Sequence, residues 1–310
     1  MKKLGVIGTG GVGGYFGAKL LNAGFDTTFL ATPKSAQIIK EKGLTVKSPN
    51  GDMVFKQVNV SAESSSIKNC DIVFLCTKSQ NTREIAENIK PFFKKDAIIV
   101  SLQNGIENEE ILAEILGKER VIPAQIYISV ASPEAGVVEH GGSGEIVIGE
   151  LDNKTTLRLE ELQKLLLSAD IPAKITNDYK KILWLKLLVN SVYNGFSAIL
   201  GDDFKKIPFS EEGKNAFWEM LKEGQKVAIA DGVKIEDKHL QKIMEMTQEG
   251  NVFFNYPSST LQDIKKQKPL EIDYIQGAII RKGKQYNIET PMNNLIWSLL
   301  KIKEKKCQNI

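Results

Sequence analysis

The stretch LGVIGTGGVG at residues 4–13 joins a short apolar run directly to a cluster of glycines. The apolar run predicts a strand, the helical periodicity of 12–22 predicts a helix, and DTTFLA at 26–31 predicts a second strand. In this βαβ context G-x-G-x-x-G is typical of dinucleotide binding, since glycines permit the tight turn, the approach of the pyrophosphate and helix–strand packing. We therefore predict that the turn binds a dinucleotide cofactor through Gly8, Thr9, Gly10, Gly11, Val12 and Gly13.

The end of the second predicted strand bears on which dinucleotide binds. NAD-binding forms of the motif place Asp or Glu there, whereas this chain has Thr32, Pro33 and Lys34, and Asp26 lies at the strand's beginning. A carboxylate would repel a 2′-phosphate, but Thr32 and Lys34 could accept one. We therefore expect NADP (NADPH) rather than NAD, with Lys34 as a cofactor contact.

Strands and helices continue to alternate to about residue 176, which predicts an α/β fold with a Rossmann-type, largely parallel sheet. The later patterns are mainly helical, so we predict a cofactor-binding domain at 1–172 and an all-helical substrate and catalytic domain at 173–310. Helices are predicted at 34–42, 82–89, 106–116, 155–167, 178–200, 210–230, 236–254, 264–282 and 292–305. Further strands are predicted at 44–47, 53–60, 71–77, 97–102, 121–127, 136–139, 145–149 and 173–176, the first two as a hairpin.

Composition excludes several classes of protein. The 310 residues are 42% hydrophobic and 25% charged, which is typical of a folded chain with sizeable cores. A net charge of +3 is too small to indicate nucleic-acid binding. Two histidines and three cysteines without CxxC or HExxH spacing argue against a metal site and fit a reducing cytosol. Without a long apolar run or a targeting segment, we expect a cytoplasmic protein with no membrane partner.

A polar stripe interrupts the apolar segment ILWLKLLVNSVYN at residues 182–194. Lys186, Asn190 and Asn194 are spaced i, i+4, i+8, so they lie on one face of a helix. Burial on such a helix would lower the pKa of the lysine and suit it to donate a proton. The alternative is that Lys186 extends to solvent and the two amides cap neighbouring backbone. Because three aligned polar groups on an apolar surface are typical of a binding site, we predict a functional role.

Five more polar residues are candidates for the same site. Lys78 and Asn104 follow predicted strands, and ligands of parallel sheets bind beyond the carboxyl ends of the strands. Alternatively, they are a helix-start lysine and a turn Asn-Gly. Ser258 or Ser259 could equally be a helix N-cap, and Glu271 could compensate a helix dipole. Their spacing does not decide between these interpretations.

Taken in order, these motifs resemble the 2-dehydropantoate 2-reductase (ketopantoate reductase) family from about residue 3 to 300. The resemblance implies NADPH-dependent reduction of 2-dehydropantoate to (R)-pantoate, in pantothenate and coenzyme A biosynthesis. It also implies a C-terminal domain like that of 6-phosphogluconate dehydrogenase. The motifs that carry it are the glycine turn, the turns at Lys78 and Asn104, Lys186-x-x-x-Asn190-x-x-x-Asn194, Ser258-Ser259 with Leu261-Gln262-Asp263, and Glu271-Ile272-Asp273.

The resemblance also implies roles for individual residues. Lys186 would be the general acid that protonates the C2 oxygen, and Glu271 would contact the cofactor and help to place Lys186. Asn190 and Asn194 would hold substrate oxygens. The remaining implied contacts are Ser259 with the substrate carboxylate, Ser258 with the substrate, Lys78 with the cofactor, Asn104 with cofactor and substrate, and Ala131 with the nicotinamide.

The sequence departs from the family pattern in several places. Thr32 stands where the family usually has Arg, Thr260 follows the serine pair instead of Met, and Gln276 precedes Gly277 instead of Asn. KQKPL at 266–270 replaces a usual Gly-Arg-x-Thr segment, and a further substrate Asn is absent near Phe204.

The alternatives are a reductase of another 2-oxo acid or an opine-type imine, and a non-enzymatic NADP sensor. We expect a small-molecule 2-oxo acid as the substrate. A homodimer is one assembly that the sequence leaves open.

Overall fold

A computed structural model describes residues 2–201, 210–246 and 257–308. The chain forms two compact units. The first unit contains the residues up to Gln103 together with Asn108–Tyr179, and the second contains Asn104–Glu107 together with the residues from Lys180 onward. The short segment Asn104–Glu107 thus belongs to the second unit although it follows a strand of the first in sequence.

The first unit is built on one large sheet flanked by helices. Its strands are β1 (Leu4–Ile7), β2 (Thr27–Leu30), β3 (Leu44–Lys47), β4 (Met53–Phe55), β5 (Val60–Ser61), β6 (Ile72–Leu75), β7 (Ile98–Ser101), β8 (Val121–Ala131), β9 (Val137–Gly149) and β10 (Ala173–Thr176). Its helices are α1 (Gly11–Asn22), α2 (Pro33–Lys42), α3 (Thr82–Ile89), α4 (Asn108–Leu116) and α5 (Leu157–Ser168).

The strand order is β4-β3-β9-β8-β7-β6-β1-β2-β5, and β10 pairs with β9. The central strands are parallel, with β1 between β2 and β6, and the antiparallel pairs are β3–β4 and β8–β9. All four residues of β1 and of β6 are buried, as expected for strands with helices on both faces. The predicted Rossmann-type sheet is therefore confirmed.

Helix α1 packs closely on this sheet because glycines line its inner side. A Cβ atom at Gly17 would lie 2.3 Å from the Phe29 ring, and one at Gly14 would lie 2.5 Å from the Val138 side chain. The glycine cluster therefore does more than form the turn, since it also lets α1 approach β2 and β9.

The second unit is helical in the part of the chain that is described. Its helices are α6 (Tyr179–Leu200), α7 (Glu211–Ala230), α8 (Asp237–Met246), α9 (Ser259–Lys265), α10 (Gln276–Gln285) and α11 (Pro291–Gln308). Among the described helices, α6 alone is long and apolar enough to cross a membrane by length and composition. However, 61% of its apolar window is buried inside the structure, which is the environment of a core helix.

Two predicted strands take a different course. The segment 53–60 was expected to form one arm of a hairpin, but only β4 pairs with β3, and β5 joins β2 in parallel at the far edge. Asn59 fixes that second position, because its carbonyl accepts from Phe29 N and its amide donates to Thr28 Oγ1 at 2.8 Å. The strands predicted at 136–139 and 145–149 are one strand, β9, because bulges absorb the glycines between them.

The helix predicted at 264–282 is also wrong. Gln267 adopts a left-handed φ of 53° after α9, and Pro269 cannot continue the helix, so α10 begins only at Gln276. Residues 247–254 of the helix predicted at 236–254, and Phe204, lie outside the described residues. The boundary expected at 172/173 differs from that of the structure, where β10 pairs with β9 and the first unit extends to Tyr179.

Candidate active site

The glycine turn connects the carboxyl end of β1 to α1. Gly8 has a φ of 94°, a conformation that L side chains rarely adopt. A Cβ atom at Gly13 would lie 1.8 Å from the carbonyl oxygen of Gly8, so only glycine allows the first turn of α1 to pack on the loop. The first and third glycines of the motif are thus required by the backbone itself.

The middle of the turn fits a pyrophosphate. A Cβ atom at Gly10 would meet no atom within 4 Å, so this face of the turn is open. Around the start of α1, the described residues include neither a side-chain cap nor an acid in its first turn. The backbone N–H groups and the positive end of the helix dipole therefore suit an anion. At Gly11 a Cβ atom would lie 3.5 Å from the carbonyl carbon of Ala131, which places this predicted contact beside the turn.

The second strand leads into another helix start. Thr32 caps α2, its Oγ1 accepting from Ser35 N at 3.3 Å. Lys34 follows in the first turn and is exposed, and no acid lies in this described turn to neutralise it. A cation at a helix N-terminus adds to the positive end of the dipole. The start of α2 is therefore electrostatically suited to a phosphate. It lacks the acidic residue that would accept a hydrogen bond from a ribose hydroxyl.

Lys78 lies three residues beyond the end of β6, the strand beside β1. The preceding residue, Thr77, approaches the glycine turn, because a Cβ atom at Gly8 would lie 2.8 Å from Thr77 Cγ2. Lys78 itself is half-buried at the start of the 3₁₀ turn Ser79–Asn81. The first unit thus brings the glycine turn, Lys34 and Lys78 to the carboxyl edge of its parallel strands, whereas the predicted cofactor contacts Asn104 and Glu271 belong to the second unit.

In the second unit, α6 carries the polar stripe. Asn190 and Asn194 are 7% and 3% exposed, so these amides are buried among apolar residues and require partners. Asn190 Nδ2 donates to Asn104 Oδ1 at 3.4 Å, and Asn194 Nδ2 donates to Ser259 Oγ at 3.2 Å. The stripe is therefore hydrogen-bonded to the segments that carry the other candidate residues of this unit.

Lys186 begins the stripe. Its side chain is half-buried, and burial lowers the pKa of its ammonium from 10.5 to about 8. A general acid works best when its pKa is near the working pH. The lysine therefore remains largely protonated at neutral pH and releases its proton more readily than a solvated lysine.

Asn104 joins the stripe to a carboxylate. While its Oδ1 accepts from Asn190, its Nδ2 donates to Glu271 Oε2 at 3.3 Å. Glu271 is 9% exposed, just before α10. Arg281 on α10 forms an ion pair with Glu107, which also ties the 104–107 segment to this unit. The amide of Asn104 thus links the carboxylate of Glu271 to the stripe on α6.

The structure distinguishes the two neighbouring serines. Ser258 is buried, and its Oγ caps α9 by accepting from Leu261 N at 3.2 Å and also hydrogen-bonds Ser197 Oγ. Ser259 is exposed and contacts Asn194. Ser197 was not among the predicted site residues, although it stands eleven residues after Lys186 and therefore continues the stripe by about three helical turns.

The histidines do not join either set of residues. His140 uses both ring nitrogens within the first unit, Nδ1 with Ser48 Oγ at 2.9 Å and Nε2 with the Ser143 carbonyl at 2.8 Å. His239 Nδ1 accepts from Glu236 N at 2.9 Å, at the start of α8. Within the described ranges, no group of three or more His, Cys, Asp and Glu side chains is placed to hold a metal ion.

A Rossmann-type sheet with an open glycine turn, together with a helical unit that carries a low-pKa lysine, defines a nucleotide-dependent enzyme. The sequence matches the family described as Ketopantoate reductase PanE/ApbA over residues 4–153 and its C-terminal counterpart over 178–304. The chain therefore belongs to the ketopantoate reductase family and is an oxidoreductase. This confirms the family and the two-part fold class expected from the motifs.

Individual relatives agree with this assignment. The chain is 31% identical over 306 residues to 2-dehydropantoate 2-reductase of Pyrococcus abyssi, covering 97% of this chain and 98% of that protein. It is similar to the crystal structure of a PanE/ApbA family ketopantoate reductase from Ralstonia eutropha JMP134, with 32% identity, a TM-score of 0.91 and 99% coverage of both chains. D-mandelate dehydrogenase, in its ternary structure with NADH and anilino(oxo)acetate, is 24% identical with a TM-score of 0.92 and 99% coverage of both chains, which shows a shared fold.

Proposed function

We propose that this protein catalyses the NADPH-dependent reduction of 2-dehydropantoate to (R)-pantoate, a step of pantothenate and coenzyme A biosynthesis. The observation that carries the proposal is the placement of Lys186, with a pKa of about 8, on the stripe that also holds Asn190 and Asn194. The names of the relatives from Pyrococcus and Ralstonia support the reaction class.

The glycine turn would hold a nicotinamide dinucleotide, which would supply a hydride when bound. The N–H groups at the start of α1 would bind its pyrophosphate, and Gly10 would let the backbone come close. Lys78 and Ala131 add contacts from the same edge of the sheet. Lys34 and the N-terminus of α2 would bind a 2′-phosphate. This would favour NADP over NAD, because both groups are positive and no acid opposes them in the described helix start.

Lys186 is the proton donor in this proposal. As the ketone carbon accepts a hydride, negative charge builds on its oxygen, and a nearby ammonium stabilises that charge and supplies the proton. The partial burial of Lys186 strengthens this effect and brings its pKa close to the working pH. Glu271 accepts from Asn104, which is itself bonded to the stripe, and in this proposal it helps to place Lys186.

The amides and the exposed serine orient the substrate. Asn190 and Asn194 offer groups that bind a hydroxyl or carbonyl oxygen, and Asn104 binds both cofactor and substrate. Ser259 binds the carboxylate, as its exposed position on α9 suggests. Ser258 contributes indirectly, since its hydroxyl already caps α9 and bonds Ser197.

A second candidate is reduction of another 2-oxo acid, or of an opine-type imine. D-mandelate dehydrogenase shares the fold with NADH bound, and its name gives a different 2-hydroxy acid. In this second candidate, the residues that depart from the family pattern select a different 2-oxo acid, and Lys186 still donates the proton. A non-enzymatic NADP sensor is disfavoured, because binding alone requires neither a low-pKa lysine nor Glu271.

The test is a panel of initial rates with NADPH and NADH against 2-dehydropantoate, 2-oxoisovalerate, benzoylformate and pyruvate. We expect the highest kcat/KM with 2-dehydropantoate and NADPH. A higher value with another acid supports the second candidate, and a preference for NADH contradicts the role of Lys34. Tight NADPH binding without turnover of any acid would instead indicate a sensor.

Location and assembly stay predictions. We expect the protein in the cytoplasmic fraction, acting on a small molecule without nucleic acid. Light scattering at several concentrations decides between a monomer and a homodimer.

A further inference from the structure

Gln276, the first residue of α10, is fully buried in the second unit. Its Nε2 donates to the backbone carbonyl of Ser191, in the middle of α6, at 2.8 Å. A carbonyl at this position normally accepts only from the N–H four residues later in the helix. The side chain of Gln276 therefore makes an additional bond that fixes the start of α10 against one point of α6.

Gly195 makes room for this bond. A Cβ atom at Gly195 would lie 3.0 Å from Gln276 Nε2 and 2.7 Å from the Ile296 side chain. Because Gly195 stands one turn after Ser191, any larger residue there would press on the amide that reaches the carbonyl. Gln276 and Gly195 thus act as a matched pair at the contact between the two helices.

The same bond closes a ring that includes Glu271. The segment from Glu271 to α10 is a compact turn, in which Tyr274 N donates to the Glu271 carbonyl and Gly277 N to the Ile272 carbonyl, both at 2.9 Å. Beyond this turn, the Glu271 carboxylate accepts from Asn104, and Asn104 accepts from Asn190. Asn190 and Ser191 are consecutive residues of α6, so both ends of the turn are tied to the same place on that helix.

We propose that Gln276 is a positioning residue that sets the place of the Glu271 carboxylate relative to α6, and hence to Lys186. The proposal rests on the roles of Lys186 and Glu271 under the proposed function. Without the Ser191 bond, the turn is tied to α6 only through the longer bonds of Asn104, at 3.3 and 3.4 Å. The carboxylate can then move away from Asn104 and from the stripe, which changes the polar surroundings of Lys186.

One substitution, Gln276→Met, distinguishes a positioning role of Gln276 from a role in packing alone. Gln276 Oε1 has no hydrogen-bond partner among the described residues. Gln276→Met retains the length of the side chain and removes both the donor and this unsatisfied acceptor. Replacing a buried polar group by an apolar one of the same shape can leave stability nearly unchanged. If Gln276 only fills space, the methionine variant should therefore match the wild type in activity.

Gln225 provides a matched control. It lies on α7, is 5% exposed, and its Nε2 donates to the Ile235 carbonyl at 3.1 Å and to Asp237 Oδ1 at 2.8 Å. Gln225→Met thus removes a buried amide–carbonyl bond of similar length from the same unit, but at residues that do not belong to the ring of Glu271. A general loss of rigidity should affect both variants alike.

The experiment measures thermal unfolding, kcat and KM, and the pKa of Lys186 in the wild type and both variants. That pKa is obtained from the pH dependence of acetic anhydride labelling, read by mass spectrometry, so it needs no turnover. For Gln276→Met we expect a Tm near that of the wild type, a fall in kcat of about tenfold, and a KM within about threefold. The Lys186 pKa should differ from its wild-type value, because the polar groups around the ammonium change place. Gln225→Met should leave both kcat and this pKa unchanged.

Wild-type kcat and Lys186 pKa in folded Gln276→Met would overturn the proposal, as would equal effects in both variants. If Gln276→Met does not fold, Gln276→Asn keeps the amide but is one methylene short of Ser191, and the same measurements on it decide. If the wild type reduces no oxo acid, the proposed function fails. The positioning role is then judged by the shift in Lys186 pKa alone.

Discussion

Replacing Lys186 with methionine should stabilise the protein while it removes the activity. Burial lowers the pKa of this ammonium from 10.5 to about 8, so the folded state disfavours the charged form. At 1.36 kcal/mol for each pH unit, the difference amounts to about 3 kcal/mol, which is an upper bound because the side chain is only half-buried. Methionine fills a similar volume without a charge, so Lys186→Met should gain part of this free energy.

The pH dependence follows from the sign of the shift. Between pH 8 and 10.5 the unfolded chain binds more protons at Lys186 than the folded chain, so wild-type stability rises with pH in this window. The cost of the charge is fully present below pH 8 and disappears above 10.5. The advantage of Lys186→Met should therefore be largest near pH 7 and shrink as the pH approaches 10.5.

Urea unfolding at pH 7 and near pH 10 measures the stability, and initial rates measure the activity. We expect kcat to fall by about 10²- to 10⁴-fold, the usual contribution of a positioned acid. Lys180→Met is the control, because Lys180 is exposed on the same helix and should change stability by less than about 0.5 kcal/mol. If Lys186→Met is less stable than the wild type at pH 7, or retains kcat, the reasoning about this lysine is refuted.

Three further predictions concern the first unit. Gly13→Ala forces a Cβ atom to within 1.8 Å of the Gly8 carbonyl oxygen, so the free energy of unfolding in urea should fall by about 1–3 kcal/mol or more. The Cβ atom of Gly10→Ala meets no atom within 4 Å, so this variant should keep its stability and only bind NADPH more weakly, as measured by fluorescence titration. Burial raises the pKa of Glu109 to about 7, so wild-type stability should fall as the pH rises from 4.5 to 7. Glu109→Gln should remove this slope and gain up to about 3 kcal/mol at pH 8; an unchanged slope would contradict the assignment. Lys34→Glu should lower kcat/KM with NADPH by about tenfold or more and leave the value with NADH nearly unchanged, and equal losses with both cofactors would exclude a 2′-phosphate contact.

Local patterns were sufficient for much of the fold. The βαβ start was predictable because the periodicity changes from strand to helix and back around glycines that only a tight turn requires. By contrast, β5 is set by the bond of Asn59 to Phe29 across the sheet, which no local pattern encodes. The continuity of β9 was missed because glycines usually end strands, and here bulges absorb them.

In the candidate site, too, local spacing was predictable from the sequence and contacts between distant segments were not. The spacing of Lys186, Asn190 and Asn194 is by itself sufficient to place them on one face of a helix. Which residue of another segment meets each amide depends on tertiary packing, so the bonds to Asn104 and Ser259 could not be read from spacing. The two interpretations left open for the serines were separated only by burial, which makes Ser258 the helix cap and leaves Ser259 exposed.

The central claim is that a hydride from the nicotinamide C4 reaches the ketone carbon of 2-dehydropantoate while Lys186 protonates the oxygen. Its most direct test uses the wild-type enzyme with NADPH deuterated at C4 on either face, followed by mass spectrometry and NMR of the product. We predict pantoate that carries deuterium at C2 from one of the two labelled cofactors and not from the other. Pantoate without deuterium from either cofactor, or no pantoate at all, would contradict the account.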